Sequence, residues 1–254
     1  MTIGVYSKGK FVSDSQITET GPNKEIIRKI LDPGFTKIQK GIKVRKKGKP
    51  PIKKTVQFSG SVKAYSFLLE GLIHDRNPLK YEDKILTLCR GDETTPPISF
   101  QFVYRIDKEK YSWSFLVDKT FKIYETGLIP VDWNHIGMIG SGGGAISVQN
   151  SLREILKKDV NSRGIDDLYS LAEIAIGQDD YCGGNIMKCD DIKEFSAVYG
   201  ESQLKAVNDL LGNVAVGCVA EAHINTESAI RILQDQGVEL KVYESRFKQA
   251  QAQI

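Results

Sequence analysis

The first eighteen residues constrain this chain most. Ile3, Val5, Phe11 and Val12 flank Ser7-Lys8-Gly9-Lys10, an apolar-turn-apolar pattern that predicts a β-hairpin starting at residue 2. Chain ends fray unless something ties them down. A strand committed at the terminus is therefore expected to give that terminus a task, with no leader ahead of it. Removal of Met1 is permitted when a small residue follows, and would leave Thr2 with both a hydroxyl and a free α-amine. An α-amine with a pKa of roughly 7.7 to 8.0 is partly neutral at working pH and can take the hydroxyl proton. Thr2 is thus a candidate nucleophile that needs no histidine. Taken alone it is an ordinary first residue of a strand, so the rest of the chain must decide.

A length of 254 residues allows one large domain, or a domain with an appendage. Apolar residues at 41% and charged residues at 26% describe a soluble globular protein. No apolar run approaches the ~18 residues of a membrane span. Polar residues and a glycine turn at positions 7–10 interrupt what a secretory signal would need. The expectation is a cytoplasmic protein without membrane contact. Cys89, Cys182, Cys189 and Cys218 lack metal-ligand spacing and are too few for a disulfide scaffold, so free thiols are expected. His74, His135 and His223 lie far apart and form no motif. Neither a metal nor a cofactor is expected.

The net charge of +3 hides a basic run: Lys37, Lys40, Lys43, Arg45, Lys46, Lys47, Lys49, Lys53 and Lys54, with no acidic residue among them. Gly48, Pro50 and Pro51 make its centre a hairpin tip. The Lys37–Lys54 loop reads as a solvated face, with an acidic or nucleic-acid contact as the alternative. The run lacks the aromatic residues that stack on bases.

Residues 24–31 read as a short helical turn or loop closed by Asp32-Pro33-Gly34. Strands are expected at 35–44 and 54–58, the second running into Ser59-Gly60-Ser61, and a helix follows over 62–74 with Tyr65, Leu68, Leu69, Leu72 and Ile73 on one face. A helical patch at 81–89 precedes a meander of strands at 98–106, 111–118 and 121–124. A strand at 136–139 leads into Gly140-Ser141-Gly142-Gly143-Gly144, then helices at 145–158 and 165–178. Strands at 185–189 and 194–199 follow. Beyond residue 201 helix and strand alternate: 203–211, 214–219, 226–236 and 238–243. These elements predict an α+β fold, two mainly antiparallel sheets between helical layers, over residues 2–200, with 201–254 as an α/β extension packed on it.

The punctuating motifs match a family. Val12-Ser13-Asp14-Ser15, Phe58-Ser59-Gly60-Ser61, Gly140-Ser141-Gly142 and Asp179-Asp180-Tyr181-Cys182-Gly183-Gly184 occur in the order found in the proteasome β-type peptidases of the N-terminal nucleophile hydrolases, and over residues 2–200 the chain resembles them. It is similar in style to the short proteasome-like proteins of bacteria and their phages, which would place a phage-encoded copy in host cytoplasm. The resemblance implies an αββα four-layer sandwich, a threonine peptidase acting on peptide or protein, and a homo-oligomer. Thr2 would be the nucleophile, and Asp14 would orient the site lysine. Lys37 would be that lysine, its charge lowering the pKa of the Thr2 groups. The amide of Gly60 would face the oxyanion. Ser141, Asp179 and Cys182 would hold the α-amine and relay protons, Cys182 standing where the family usually has serine.

Lys29 also sits in a Lys-Ile pair and stays open as the site lysine. Each of these residues has a plainer reading by itself: a turn for Asp14, a solvated strand position for Lys37, a glycine loop for Ser141, a helix end for Asp179. Two rival functions also stand. Gly140-Ser141-Gly142-Gly143-Gly144-Ala145 satisfies G-x-G-x-x-A, with Asp159 downstream, and would bind a nucleotide if a parallel strand followed the helix. A non-catalytic relative, structural or binding a host partner, would keep the fold and drop the chemistry.

Overall fold

A computed structural model describes residues 2–20, 25–44, 52–60, 65–66, 69–70, 100–106, 111–117, 122–126, 129–130, 133–141, 144–189, 197–213 and 223–244. Its strands are β1 (Thr2–Ser7), β2 (Lys10–Ser13), β3 (Ile17–Thr20), β4 (Ile26–Ile30), β5 (Ile38–Val44), β6 (Ile52–Gly60), β7 (Phe100–Ile106), β8 (Tyr111–Val117), β9 (Ile123–Glu125), β10 (Ile129–Pro130), β11 (Gly137–Ser141), β12 (Met187–Lys188) and β13 (Lys241–Tyr243). Its helices are α1 (Gly144–Ser147), α2 (Gln149–Lys157), α3 (Ile165–Gln178), α4 (Ala197–Asn213) and α5 (His223–Asp235).

The opening hairpin forms with Ser7 opposite Lys10, which leaves a two-residue turn. Lys8 and Gly9 both take positive φ, 47° and 67°, the turn geometry whose twist matches that of the paired strands. β11 pairs with the free side of β1 and β12 with that of β2, giving an antiparallel four-stranded sheet in the order β11-β1-β2-β12. The second sheet, also antiparallel, runs β13-β9-β8-β7-β6-β5, with β10 added to β8.

Alternation within β1 sorts the layers. Ile3 and Val5 join Val12, Met138, Leu152, Leu168, Leu171, Ala172 and Ala175 in one core, so one face of the first sheet lies under α2 and α3. The opposite face meets the second sheet. A Cβ on Gly4 would come within 2.9 Å of the Gln57 side chain, and Tyr6 and Phe11 pack with Ile38 of β5. On the far side of the second sheet, Phe58 stacks on Tyr65 with ring centroids 3.7 Å apart, and Gln39 bonds Gln203 of α4. Helix, sheet, sheet, helix is therefore the order of layers, the αββα sandwich that the sequence predicts. α5 packs on β11, and its Ala229, Ile230 and Leu233 complete the core between the sheets; β13 extends the sheet edge at β9.

Several elements differ from expectation. Residues 26–30 form a strand, not a helical turn, with Ile17 opposite Ile30 and Thr18 opposite Lys29. β-branched Ile26, Ile27 and Ile30 lose side-chain freedom in a helix and fit a pleated pair with threonine-rich β3. Residues 197–199, expected as strand, open α4, where burial of Gln203 and Val207 outweighs the local β propensity of Val198 and Tyr199. The helix expected over 145–158 is broken at buried Val148. Apart from helical residues 65–66 and 69–70, the helix at 62–74 lies outside the described residues, as do the patch at 81–89, the strand at 214–219 and the tip of the basic run.

The start of α3 is closed by Asp167, which accepts from Gly164 N and pairs with Lys158. Partial burial opposes its ionisation, yet Lys158 and the Gly164 N–H prevail and hold the carboxyl below its ordinary range. A depressed carboxylate contributes stability above its unfolded pKa, roughly 3.9, which is lost as pH falls through the folded value. Asp167→Asn should therefore flatten the acid limb of a stability-against-pH curve below about pH 4; an unchanged limb would contradict the assignment. Leu233→Ala should cost about 2–5 kcal/mol in urea denaturation because α5 is built into the core. A loss below about 1 kcal/mol would show that α5 only rests on the surface.

Candidate active site

Asp14 follows β2 directly and is fully buried. Its backbone N–H donates to Ile3 O at 3.2 Å, and its Oδ1 accepts from Ile3 N at 3.0 Å, so one residue clasps β1 next to Thr2. Ser13 Oγ lies 3.0 Å from the same Ile3 carbonyl. Oδ1 also accepts from Lys37 Nζ at 3.0 Å. Lys37 stands one residue ahead of β5, where Phe58 N donates to its carbonyl at 3.0 Å. Both side chains of this ion pair are wholly out of water. Lys37 Nζ gives a second hydrogen bond to Gln16 O at 2.5 Å. Lys29 lies elsewhere: it pairs with Asp180 at 3.1 Å, a partly exposed lysine against a carboxylate that is 85% exposed. Of the two lysines the sequence leaves open, only Lys37 meets Asp14.

The loop after α3 closes the other side. Gly183 N donates to Asp14 Oδ2 at 3.2 Å, and Gly183 O accepts from Ser15 N and Gln16 N. A side chain at Gly183 would collide with Gln16, since its Cβ would fall 2.3 Å from Gln16 Oε1. Gly184 takes φ +73°, and its Cβ would meet Ser15 Oγ at 2.3 Å. Glycine is needed at 184, where the backbone is left-handed and a Cβ would also meet Leu31 O at 2.8 Å, whereas at 183 a Cβ would displace the end of the Gln16 side chain. Asp179 caps α3, its Oδ1 accepting from Tyr181 N at 2.9 Å, while its buried Oδ2 has no hydrogen-bond partner among the described residues.

Cys182 is buried, and burial, then the charges of Asp14 and Asp179, push its thiol well above the ordinary cysteine range. It stays a neutral S–H, able to donate weakly and not to attack as a thiolate. Thr2 and Ser141 are register partners across β1 and β11. Gly60 ends β6 at φ +105°, a conformation that favours glycine, three residues after Gln57, whose Nε2 donates to Val12 O at 2.7 Å. Asp14 and Lys37 are thus paired beside the start of β1, with Cys182 close by and Asp179 in the same loop as Cys182; the main chains of Thr2 and Ser141 lie side by side, and Gly60 is on the facing sheet.

Sequence reasoning missed Gln16, whose carbonyl takes the lysine through a main-chain atom that leaves no residue signature, and gave no role to Gly183, which lies in the quoted motif at 179–184 and whose amide takes the carboxylate. The glycine turn after β11 has no parallel βαβ context, since β11 pairs antiparallel with β1 and α1 and α2 lead into α3. Among the described residues no group of three or more His, Cys, Asp and Glu gathers in a metal-binding arrangement, and no helix is long and apolar enough to cross a membrane.

No protein-family model and no curated protein matches the sequence. Among solved structures the chain is similar to eukaryotic HslV from Trypanosoma brucei, at 14% identity over 74% of this chain and 97% of that one, with a TM-score of 0.43. It is also similar to Anbu, an ancestral beta-subunit from Yersinia bercovieri, at 10% identity over 84% of this chain and 95% of that one, with a TM-score of 0.42.

Breaking the buried pair should be costly, because the surviving group loses its counter-charge out of water. Asp14→Asn or Lys37→Met should lower stability by about 3–5 kcal/mol, while Lys29→Ala should change it by no more than about 1 kcal/mol. Chemical denaturation of the three variants checks this, and equal effects at Lys29 and Lys37 would contradict it.

Proposed function

We propose that the protein is an amidohydrolase of the N-terminal nucleophile type, a proteasome-like threonine peptidase that works through Thr2 once Met1 is removed. The observation that carries this reading is the fully buried Lys37–Asp14 pair, tied by Asp14 Oδ1 to the amide of Ile3, the residue after Thr2. A buried ion pair is weak evidence for stability, since desolvation offsets much of its attraction. It is better accounted for where a charge is used, and under this reading the ammonium favours the ionised form of the Thr2 hydroxyl.

In the proposed reaction the Thr2 hydroxyl oxygen attacks the amide carbonyl carbon as its proton passes to the neutral Thr2 α-amine. The tetrahedral oxyanion is held by the Gly60 N–H. Collapse breaks the C–N bond, and the leaving amine takes the proton back from the α-ammonium. Water then hydrolyses the threonine ester. Asp179, whose Oδ2 has no hydrogen-bond partner among the described residues, together with Ser141 and the neutral Cys182 thiol, would orient the α-amine and share its protons. Peptide or protein as substrate, and assembly of the chain with copies of itself, belong to the same proposal.

Covalent labelling by an electrophile selective for N-terminal threonine tests the reading. Wild type should label and Thr2→Ala should not; equal labelling of the two would reject the mechanism in favour of a non-catalytic role. Lys37→Ala should slow labelling by at least about 100-fold, the usual worth of a positioned proton-transfer group, while Lys29→Ala should leave it nearly unchanged.

A further inference from the structure

Lys37 reaches the site from a segment with little ladder support. The pairing of β5 with β6 begins at Ile38, opposite Gln57, so Thr36 lies outside it. Thr36 is held instead from two directions. Its N–H donates to Gln203 Oε1 of α4 at 2.8 Å, and its carbonyl accepts from Tyr65 Oη at 2.7 Å. Gln203 is 4% exposed and also donates through Nε2 to Gly34 O at 3.2 Å. Gln39 joins the two arms, its Nε2 lying 2.9 Å from Tyr65 Oη and 3.1 Å from Gln203 Oε1. Tyr65 is in turn fixed by its stack on Phe58, whose N–H bonds the Lys37 carbonyl.

We infer that Gln203 is a positioning residue for Lys37: with Tyr65 and Gln39 it fixes the peptide ahead of the lysine and so sets where the buried ammonium stands, which couples the segment after residue 200 to the reacting centre. A side-chain amide suits this task because it accepts from Thr36 and donates to Gly34 at once, bracketing the turn that delivers the lysine. The consequence for rate rests on the threonine mechanism proposed above; the consequence for the lysine does not. Small displacements of a catalytic charge are expensive. Tyr65→Phe removes the second arm while keeping the ring stack, and serves where Gln203→Met folds poorly.

The test has two readouts on the full chain. In 15N NMR of the lysine ammonium groups, the buried Lys37 signal of wild type should exchange slowly with water. In Gln203→Met or Tyr65→Phe its exchange should quicken at least about tenfold, with exposed Lys157 unchanged. The second readout is a double-mutant cycle on Thr2 labelling. Gln203→Met should slow labelling about tenfold in the wild-type background, shift its pH profile upward, and have no further effect in Lys37→Ala. Unchanged Lys37 exchange in both variants, or effects of Gln203→Met and Lys37→Ala that simply multiply, would overturn the inference. If wild type does not label at Thr2, the peptidase reading falls, and the exchange measurement alone decides the role of Gln203.

Discussion

One carboxylate holds the centre of this structure together. Asp14 has no contact with water, and an isolated ionised group there would be prohibitively unfavourable. Its stability in place depends on three donors from three separate parts of the chain: Ile3 N from the first strand, Lys37 Nζ from the entry to β5, and Gly183 N from the loop after α3. None can be absent without leaving charge unsatisfied, so the two sheets and the helix above them are locked into one register at this point. The fold and the candidate site therefore share the same bonds.

The glycines follow from that convergence. Where the loop at 181–184 meets Ser15 and Gln16, hydrogen bonds run from backbone to backbone, with Ser15 N and Gln16 N both on Gly183 O. A side chain at 184 would meet Ser15 Oγ and the Leu31 carbonyl and hold the chains apart. Gly4 has the same task between the sheets, where Ile139 and Gln57 occupy the space a Cβ would need. Close approach is also what isolates Cys182 from water and keeps its sulfur protonated beside two carboxylates.

Much of this is legible in the sequence because it is local. The hairpin is written in the alternation of Ile3, Val5, Phe11 and Val12 about a Lys-Gly turn, and α3 in the spacing of Leu168, Leu171, Ala172 and Ala175. The preference for Lys37 over Lys29 also has a local basis, since residues 35–44 are patterned as strand. Residues 26–30 are ambiguous by themselves: Ile, Arg and Lys serve a short helix or an exposed strand, and only pairing with β3 decides between them. Gln203 gives no sequence signal at all, lying 167 residues from the amide it binds. A glutamine on an amphipathic helix reads as solvated until the fold sets it against Thr36, Gly34 and Gln39. Likewise Gln16 and Gly183 contribute through carbonyl and amide groups common to every residue.

The central claim is that the buried Lys37–Asp14 pair exists to serve a nucleophile at residue 2. Mass spectrometry of the intact protein, followed by peptide mapping after treatment with an electrophile selective for N-terminal threonine, tests it most directly. The account predicts loss of Met1 and a single adduct on the peptide that begins with Thr2. Retention of Met1 in the whole population, or an adduct confined to other residues, would contradict it.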